Sequence, residues 1–304
     1  MTRSLQIGVV GLGGMGRPMA RNLVAAGHAV SGCDISAHAV AAAAEDGVEP
    51  AQSPAALATR CELILAMVWD DRALRDVVFG EQGLLAHDGF AGGFVDLSTT
   101  SRAIAIDIGA TLTARGAAFL DAAVIGGGVA AVKAARSPIV VSGDQAAWQR
   151  YRPVLEQLGS CDYVGAQGNA KAVKLINNFL VGAVTAANAE ALSLATSMGI
   201  EMTEALAWLR HGAGGSRVLD SYYGALTEQG RYPEGLIGHR LMAKDLQLAA
   251  ELAESVDCAT TFPRFGQQMY LAFGRTLGPD SPFPTALDYF HRANPAASAA
   301  SAAA

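Results

Sequence analysis

Gly11, Gly13 and Gly16 form a G-x-G-x-x-G, with Gly14 and Met15 between them, directly after an apolar run that ends in Val9 and Val10. In that setting the first glycine permits a tight turn and the second lets the backbone approach a pyrophosphate. The third lets the following helix pack on the strand, so that the helix amides face the phosphates. Asp34 lies about twenty residues on, at the end of the next apolar run, which is where a ribose-binding carboxylate belongs. Such a carboxylate accepts hydrogen bonds from adenosine ribose hydroxyls and repels a 2′-phosphate, and Ile35 and Ser36 after it offer no arginine to receive one. The expected cofactor is NAD, preferred over NADP. The plainer alternative for Asp34 is a cap on the turn before Ser36.

Hydride transfer to a nicotinamide leaves a hydroxyl proton to be taken by the protein. The six histidines are scattered, none in H-x-x-x-H or H-E-x-x-H spacing, so neither a metal site nor a histidine relay is expected. The stretch from Gly165 to Asn178 offers lysine instead. On a helix Lys174 and Asn178 share a face, with Lys171 on the same side one turn earlier. A lysine on a mostly apolar helix beside another cation has its ammonium disfavoured, which draws its pKa toward the range useful for proton transfer, and Asn178 would then hold a substrate oxygen. The competing reading makes both lysines surface residues whose stems lie along apolar surface.

Elements that would carry these residues follow from the pattern. Short apolar runs at 6–10, 29–33, 63–68, 93–97, 118–120, 139–142 and 161–164 alternate with helical stretches such as 15–26 and 145–158, the latter interrupted by Pro153. That alternation predicts an α/β fold, a Rossmann-type doubly wound parallel sheet over 1–165. After Gly168 the stretches 169–198, 203–211 and 244–256 are rich in Ala and Leu and free of proline, so 166–293 is expected to be an all-helical domain that completes the active site. The Ala/Ser stretch 294–304 cannot bury a core and is expected to be a disordered tail.

Composition narrows the partners. A hydrophobic fraction of 51% with 16% charged residues suits packed cores, and a net charge of −6 without a Lys/Arg block argues against nucleic acid or an anionic membrane. A small-molecule substrate remains. Glycines break the apolar run after Arg3 before it resembles a signal peptide, and Asn188 and Glu190 interrupt the most apolar later stretch, so no membrane span is expected. Cysteines at 33, 61, 161 and 258 form no C-x-x-C and read as reduced thiols in a cytoplasmic protein.

Five motifs in order carry a resemblance over nearly the whole chain: Gly-Leu-Gly-Gly-Met-Gly from Gly11, Val-Asp-Leu-Ser-Thr from Val95, Phe-Leu-Asp-Ala-Ala-Val-Ile-Gly-Gly from Phe119, the Gly165–Asn178 stretch, and Lys-Asp-Leu-Gln-Leu-Ala from Lys244. Together they resemble the β-hydroxyacid dehydrogenase family, which includes 3-hydroxyisobutyrate dehydrogenase and tartronate semialdehyde reductase. The resemblance implies that Lys174 is the general acid/base, Asn178 a substrate anchor, and Gly126 and Gly127 amide donors to a substrate carboxylate. It places Ser98 and Thr99 beside the nicotinamide ribose, where they equally fit hydroxyl turns that end a strand, makes Lys244 reach the cofactor or close the cleft, and implies a homodimer or homotetramer. Asp245 fits the family pattern and equally fits N-terminal capping of a helix expected to begin at Lys244.

Two positions depart from the family. Ile125 stands where a serine is usual, which removes a hydroxyl from the substrate-binding segment and adds apolar bulk. Ala135-Arg136 replaces the usual Gly-Thr. Three functions therefore stand side by side: a dehydrogenase of small hydroxy compounds, most simply 3-hydroxy acids; an imine reductase, which generally lacks the lysine; and a non-catalytic dinucleotide-binding scaffold. The Gly-rich run from Arg210 to Gly215 reads as a substrate loop or as a connector.

Overall fold

The computed structural model describes residues 3–86 and 90–294. All but Asn294 of the expected Ala/Ser tail therefore lies outside the described residues. The chain divides into two compact units, Met1–Lys174 and Leu175–Ala304. The first runs β1 (Gln6–Val10), α1 (Gly16–Ala25), β2 (Ala29–Cys33), α2 (Ala37–Glu45), β3 (Glu49–Pro50), α3 (Pro54–Ala58), β4 (Leu63–Ala66), α4 (Asp71–Phe79), β5 (Gly93–Asp96), α5 (Arg102–Ala114), β6 (Ala118–Val124), α6 (Gly128–Lys133), β7 (Ile139–Gly143), α7 (Gln145–Leu155), β8 (Cys161–Tyr163) and the first turns of α8 (Asn169–Ser197).

Its sheet has the order β3-β2-β1-β4-β5-β6-β7-β8. The order reverses between β1 and β4, the switch point at which doubly wound sheets bind ligands beyond their strand ends. Both faces are covered. Ile7, Val9, Leu63 and Leu65 pack on one side, and Val10, Ile64, Ala66 and Phe94 on the other, which is why these strands read as continuous apolar runs.

One pairing departs from the expected parallel sheet, because β7 runs antiparallel to β6. The connection, residues 125–138, spends its length on a glycine turn and the short α6, about 9 Å long, rather than on a return along the roughly 23 Å of β6, and the chain re-enters from the same end. Other boundaries shift for local reasons. β3 is a two-residue, exposed Glu-Pro edge with no apolar signal. β4 stops at Ala66, two residues short of the expected end, where the chain bends past the glycine turn. β6 extends to Val124 because small alanines, poor strand formers by propensity, are buried on it. Pro153 sits near the C-terminal end of α7, which closes at Leu155 rather than at 158.

Ala135 follows α6 with φ of 52°, in the left-handed region, and Arg136 N–H closes back on Ala131 O at 2.9 Å. This is a helix C-terminal motif that favours glycine, at the position where Ala-Arg departs from the family. Ala135→Gly is expected to relieve the strain, offset in part by the freer unfolded chain, for a net gain of about 0.5–1 kcal/mol and a Tm rise of about 1–3 °C. A lower melting temperature for this variant would show that Ala135 is not strained.

The second unit holds the rest of α8, then α9 (Met202–His211), a π-helical turn Leu219–Gly224, α10 (Ala225–Gln229), α11 (His239–Glu254), α12 (Phe262–Leu277) and α13 (Ala286–Ala293). Its core joins Leu192, Leu206, Leu219, Leu246, Tyr270 and Phe273. α11 begins five residues before Lys244. Asp245 is therefore mid-helix, and the capping role considered for it does not hold.

Candidate active site

The glycine turn is shaped on two sides by contact and left open on the third. Gly11 has φ of 90°, and a Cβ there would stand 2.2 Å from Met67 O; a Cβ on Gly16 would stand 1.9 Å from Gly11 O. These two glycines let α1 close on the strand. At Gly13 and Gly14 nothing lies within 4 Å of a Cβ position. Helices α2, α3, α4, α5 and α7 are each capped by a side chain, from Ser36, Ser53, Asp70, Ser101 and Asp144. α1 has Met15 at its N-cap, no side-chain cap and no acid in its first turn. Its amides and the space above Gly13 and Gly14 fit the pyrophosphate of a dinucleotide.

Asp34 takes the turn-capping role considered for it and is tied to the glycine turn as well. Its Oδ1 accepts from Ser36 N–H at 2.8 Å, the turn cap, while Oδ2 accepts from Leu12 N–H at 2.7 Å inside the glycine turn. The carboxylate is thereby fixed beside the cradle, with Ile35 fully exposed next to it.

Lys171 and Lys174 separate sharply. Lys171 is completely buried. Its ammonium lies 2.9 Å from Asp96 Oδ2 and donates to Asp96 O, Ser98 O and Ala122 O at 2.9, 2.7 and 2.9 Å. It is neither a surface lysine nor an uncompensated cation, so its proposed action as a bare neighbouring charge on Lys174 is corrected by the Asp96 carboxylate. Lys174 is half-buried, and its Nζ donates to Val124 O at 2.8 Å. The last residue of β6 thus holds it at the start of the segment Ile125–Gly128.

That segment is built to expose backbone. Gly126, Gly127 and Gly128 have φ of 85°, 77° and 56°, three consecutive left-handed residues that only glycine adopts readily. All three are exposed, and Ile125, tied by its N–H to Pro138 O at 2.8 Å, is partly so.

Ser98 and Thr99 differ in the same way. Ser98 is fully buried, and its hydroxyl accepts from Val68 N–H at 2.9 Å, so it braces the loop after β4. Thr99 is half-buried, three residues beyond the end of β5.

In the second unit Asn178 donates from Nδ2 to Asp245 Oδ2 at 2.6 Å, and Lys244 Nζ stands 3.0 Å from Asp245 Oδ1. The buried carboxylate brings Asn178 and Lys244 together and fixes which way the carboxamide faces. Along α8, Asn178 follows Lys174 by one turn. Arg210 and His211 are exposed; Arg210 pairs with Asp220 at 2.6 Å and His211 with Ala207 O, so the glycine run between them and Ser216 is spanned by an ion pair.

Three residues escaped the sequence reading. Asp121, buried on β6, accepts from Gly168 N–H and Ser142 Oγ at 2.8 Å each and from Lys171 N–H at 3.4 Å, while Ser142 Oγ accepts from Ala170 N–H at 2.9 Å. These side chains cap α8 from more than twenty positions away in the chain. Burial pushes the Asp121 carboxyl above its ordinary range, opposed by the Lys171 charge and by the three donors. Asp96 is the third. Beyond their places in the family motifs, the two aspartates give one local signal, a lone Asp inside an otherwise apolar strand.

A strand, glycine turn and uncapped helix at the switch point, followed by a lysine held at the end of β6, define a nicotinamide dinucleotide-dependent oxidoreductase. Residues 6–166 match the model of the NAD binding domain of 6-phosphogluconate dehydrogenase, and residues 168–290 that of the NAD-binding region of NADP-dependent 3-hydroxyisobutyrate dehydrogenase. The 3-hydroxyisobutyrate dehydrogenase of Pseudomonas aeruginosa is 31% identical over 270 residues, 87% of this chain and 90% of that one. The NAD-dependent L-serine dehydrogenase of the same organism is 30% identical over 272 residues, 87% of this chain and 91% of that one. Among solved structures, 3-hydroxyisobutyrate dehydrogenase of Mycobacterium tuberculosis with L-serine superposes with a TM-score of 0.84 at 28% identity, covering 94% of this chain and 99% of that one. The chain belongs to the β-hydroxyacid dehydrogenase family, and it is a dehydrogenase acting on CH–OH groups.

Proposed function

We propose that this dehydrogenase interconverts a small 3-hydroxy acid and its semialdehyde or ketone, with NAD preferred over NADP and Lys174 as general acid/base. The observation that carries the reading is the Lys174 Nζ contact to Val124 O, which sets an amine beside the exposed amides of Gly126–Gly128. Bound NAD supplies the hydride acceptor. In the oxidative direction neutral Lys174 takes the hydroxyl proton, and in the reductive direction its ammonium returns it. Gly126 and Gly127 donate to the substrate carboxylate, and Asn178, one Nδ2 hydrogen given to Asp245, anchors a substrate oxygen with the other. Thr99 and Lys244 contact the cofactor. Ser98 supports it from behind through the loop after β4.

Asp34 supports the NAD preference, because a carboxylate fixed by two backbone donors cannot turn away from a 2′-phosphate. Ile125 supports the substrate class. Without a hydroxyl at this place the carboxylate relies on backbone donors, and an alkyl group on C2 meets an apolar neighbour. By their names, relatives act on 3-hydroxyisobutyrate and on L-serine. The first carries a C2 methyl and is the better match to isoleucine.

The test is NADH formation by the purified protein with 3-hydroxyisobutyrate, L-serine and longer C2-alkyl homologues, each with NAD and NADP. Turnover is expected with NAD and to favour the alkyl-substituted acids, and Ile125→Ser is expected to narrow that preference by about tenfold. Silence across the acids together with reduction of a cyclic imine would sink the assignment in favour of imine reduction; cofactor binding with neither activity would favour a scaffold.

A second copy of the chain is the proposed partner. Ile176, Leu180, Leu194 and Met198 are 52%, 55%, 64% and 72% exposed along or just beyond α8, at spacings that keep one face of a helix. α8 is long and apolar enough to cross a membrane by length and composition, yet Thr185, Ser193 and Thr196 are buried along it. We assign its exposed face to a homodimer or homotetramer in the cytoplasm, where the four free cysteines would stay reduced. Light scattering is expected to give a multiple of 31.3 kDa for the native protein and a lower mass for Leu180→Lys/Leu194→Lys; a native monomer would refute the assignment.

A further inference from the structure

Lys174 performs the proposed chemistry and leaves a second, wholly buried lysine unexplained. Confining an ammonium away from water is costly, and a well-packed apolar side chain generally fills such a place at least as stably. The contacts of Lys171 show what an apolar side chain cannot supply. Four oxygens surround Nζ, from three positions on β5, just beyond it and on β6: the Asp96 carbonyl and carboxylate, the Ser98 carbonyl and the Ala122 carbonyl.

Each position belongs to a segment that carries the site. Asp96 and Ser98 immediately precede Thr99. Ala122 lies two residues before Val124 on β6, and carbonyls at i and i+2 of a strand point the same way, about 7 Å apart. Lys171 therefore reaches the Ala122 carbonyl as Lys174 reaches the Val124 carbonyl, two rungs between the same helix and the same strand.

Building on the dehydrogenase reading above, we propose that Lys171 is a positioning residue. Its ammonium locks α8 to the ends of β5 and β6 and so sets where the Lys174 amine stands relative to Thr99 and Gly126–Gly128. Asp96 neutralises the buried charge and, by accepting from Ser98 N–H at 2.9 Å and Thr100 Oγ1 at 3.1 Å, holds the turn that presents Thr99. Without the Lys171 rung, α8 keeps its Asp121 and Ser142 cap but loses the tie nearest the reacting amine.

The test compares Lys171→Met with Lys171→Met/Asp96→Asn, in which no unpaired charge remains, so that the double variant folds even where the single one does not. NADH affinity by fluorescence titration, steady-state kinetics, and acylation of Lys174 in ligand-free protein by an amine-reactive reagent, followed by peptide mass spectrometry, are the readouts. In the double variant NADH affinity is expected within about threefold of native, kcat lower by about 100-fold with KM little changed, and Lys174 acylation altered several-fold, since small misplacement of a catalytic group costs that much. Native kcat and native Lys174 acylation in a folded double variant would overturn the proposal. Altered Lys174 acylation in a protein that turns over no hydroxy acid would leave Lys171 as the positioning group and refute the dehydrogenase substrate instead.

Discussion

Replacing Lys174 with alanine is expected to lower kcat by about 10²–10⁴-fold while NADH affinity changes by less than about threefold. The N-terminus of α8 is fixed by Asp121, Ser142 and the buried Lys171 ammonium, independently of the Lys174 side chain, whose Nζ donates to Val124 O. Its removal therefore leaves the helix and the glycine turn in place. Lost with it is the group proposed to take the hydroxyl proton, and neither Lys171, sealed by four oxygens, nor Ser98, buried against Val68, stands ready to replace it. A single-turnover measurement with saturating NAD separates this from a binding defect. Lys174→Arg is expected to fail as well, because a guanidinium does not release its proton at working pH. Turnover by Lys174→Ala within tenfold of native would move the proton transfer to another residue.

The sequence revealed those parts of the site whose chemistry is local and concealed those assembled across strands. Gly11 and Gly16 were legible because a turn and a close helix–strand contact act within six residues, and Asp34 because its distance from the turn is set by one helix and one strand. Lys174 and Asn178 were legible as helix neighbours. What stayed hidden depends on sheet order. Asp96, Asp121 and Ser142 sit on β5, β6 and β7, and only pairing of these strands brings them under the start of α8. The antiparallel β7 was hidden for a related reason, since the alternation of runs says nothing of whether a connection is long enough to return the chain. The misplaced start of α11, and with it the reading of Asp245, came from taking the Lys-Asp motif as a boundary when apolar and basic residues before it were already helical.

The glycine turn allows stability and cofactor binding to be separated by two substitutions three residues apart. Gly16→Ala places a methyl group 1.9 Å from the Gly11 carbonyl oxygen, a backbone atom that cannot swing aside, so α1 must move off β1. The expected cost is about 2–3 kcal/mol, read as a clear fall in Tm without ligand, and NADH affinity falls with it because the helix amides are displaced. Gly13→Ala places its methyl group where nothing lies within 4 Å, at a backbone angle outside the left-handed region, so the ligand-free protein is expected to melt within about 1 °C of native. That same open space is where the pyrophosphate must approach the backbone, and the methyl group is expected to weaken NADH binding by about 10–100-fold. Adding saturating NADH should then raise the melting temperature of the native protein far more than that of Gly13→Ala, because ligand stabilisation scales with the logarithm of concentration over Kd. Equal ligand-induced shifts in the two proteins would show that the dinucleotide does not lie over Gly13, and would remove the physical basis for assigning this turn to the pyrophosphate.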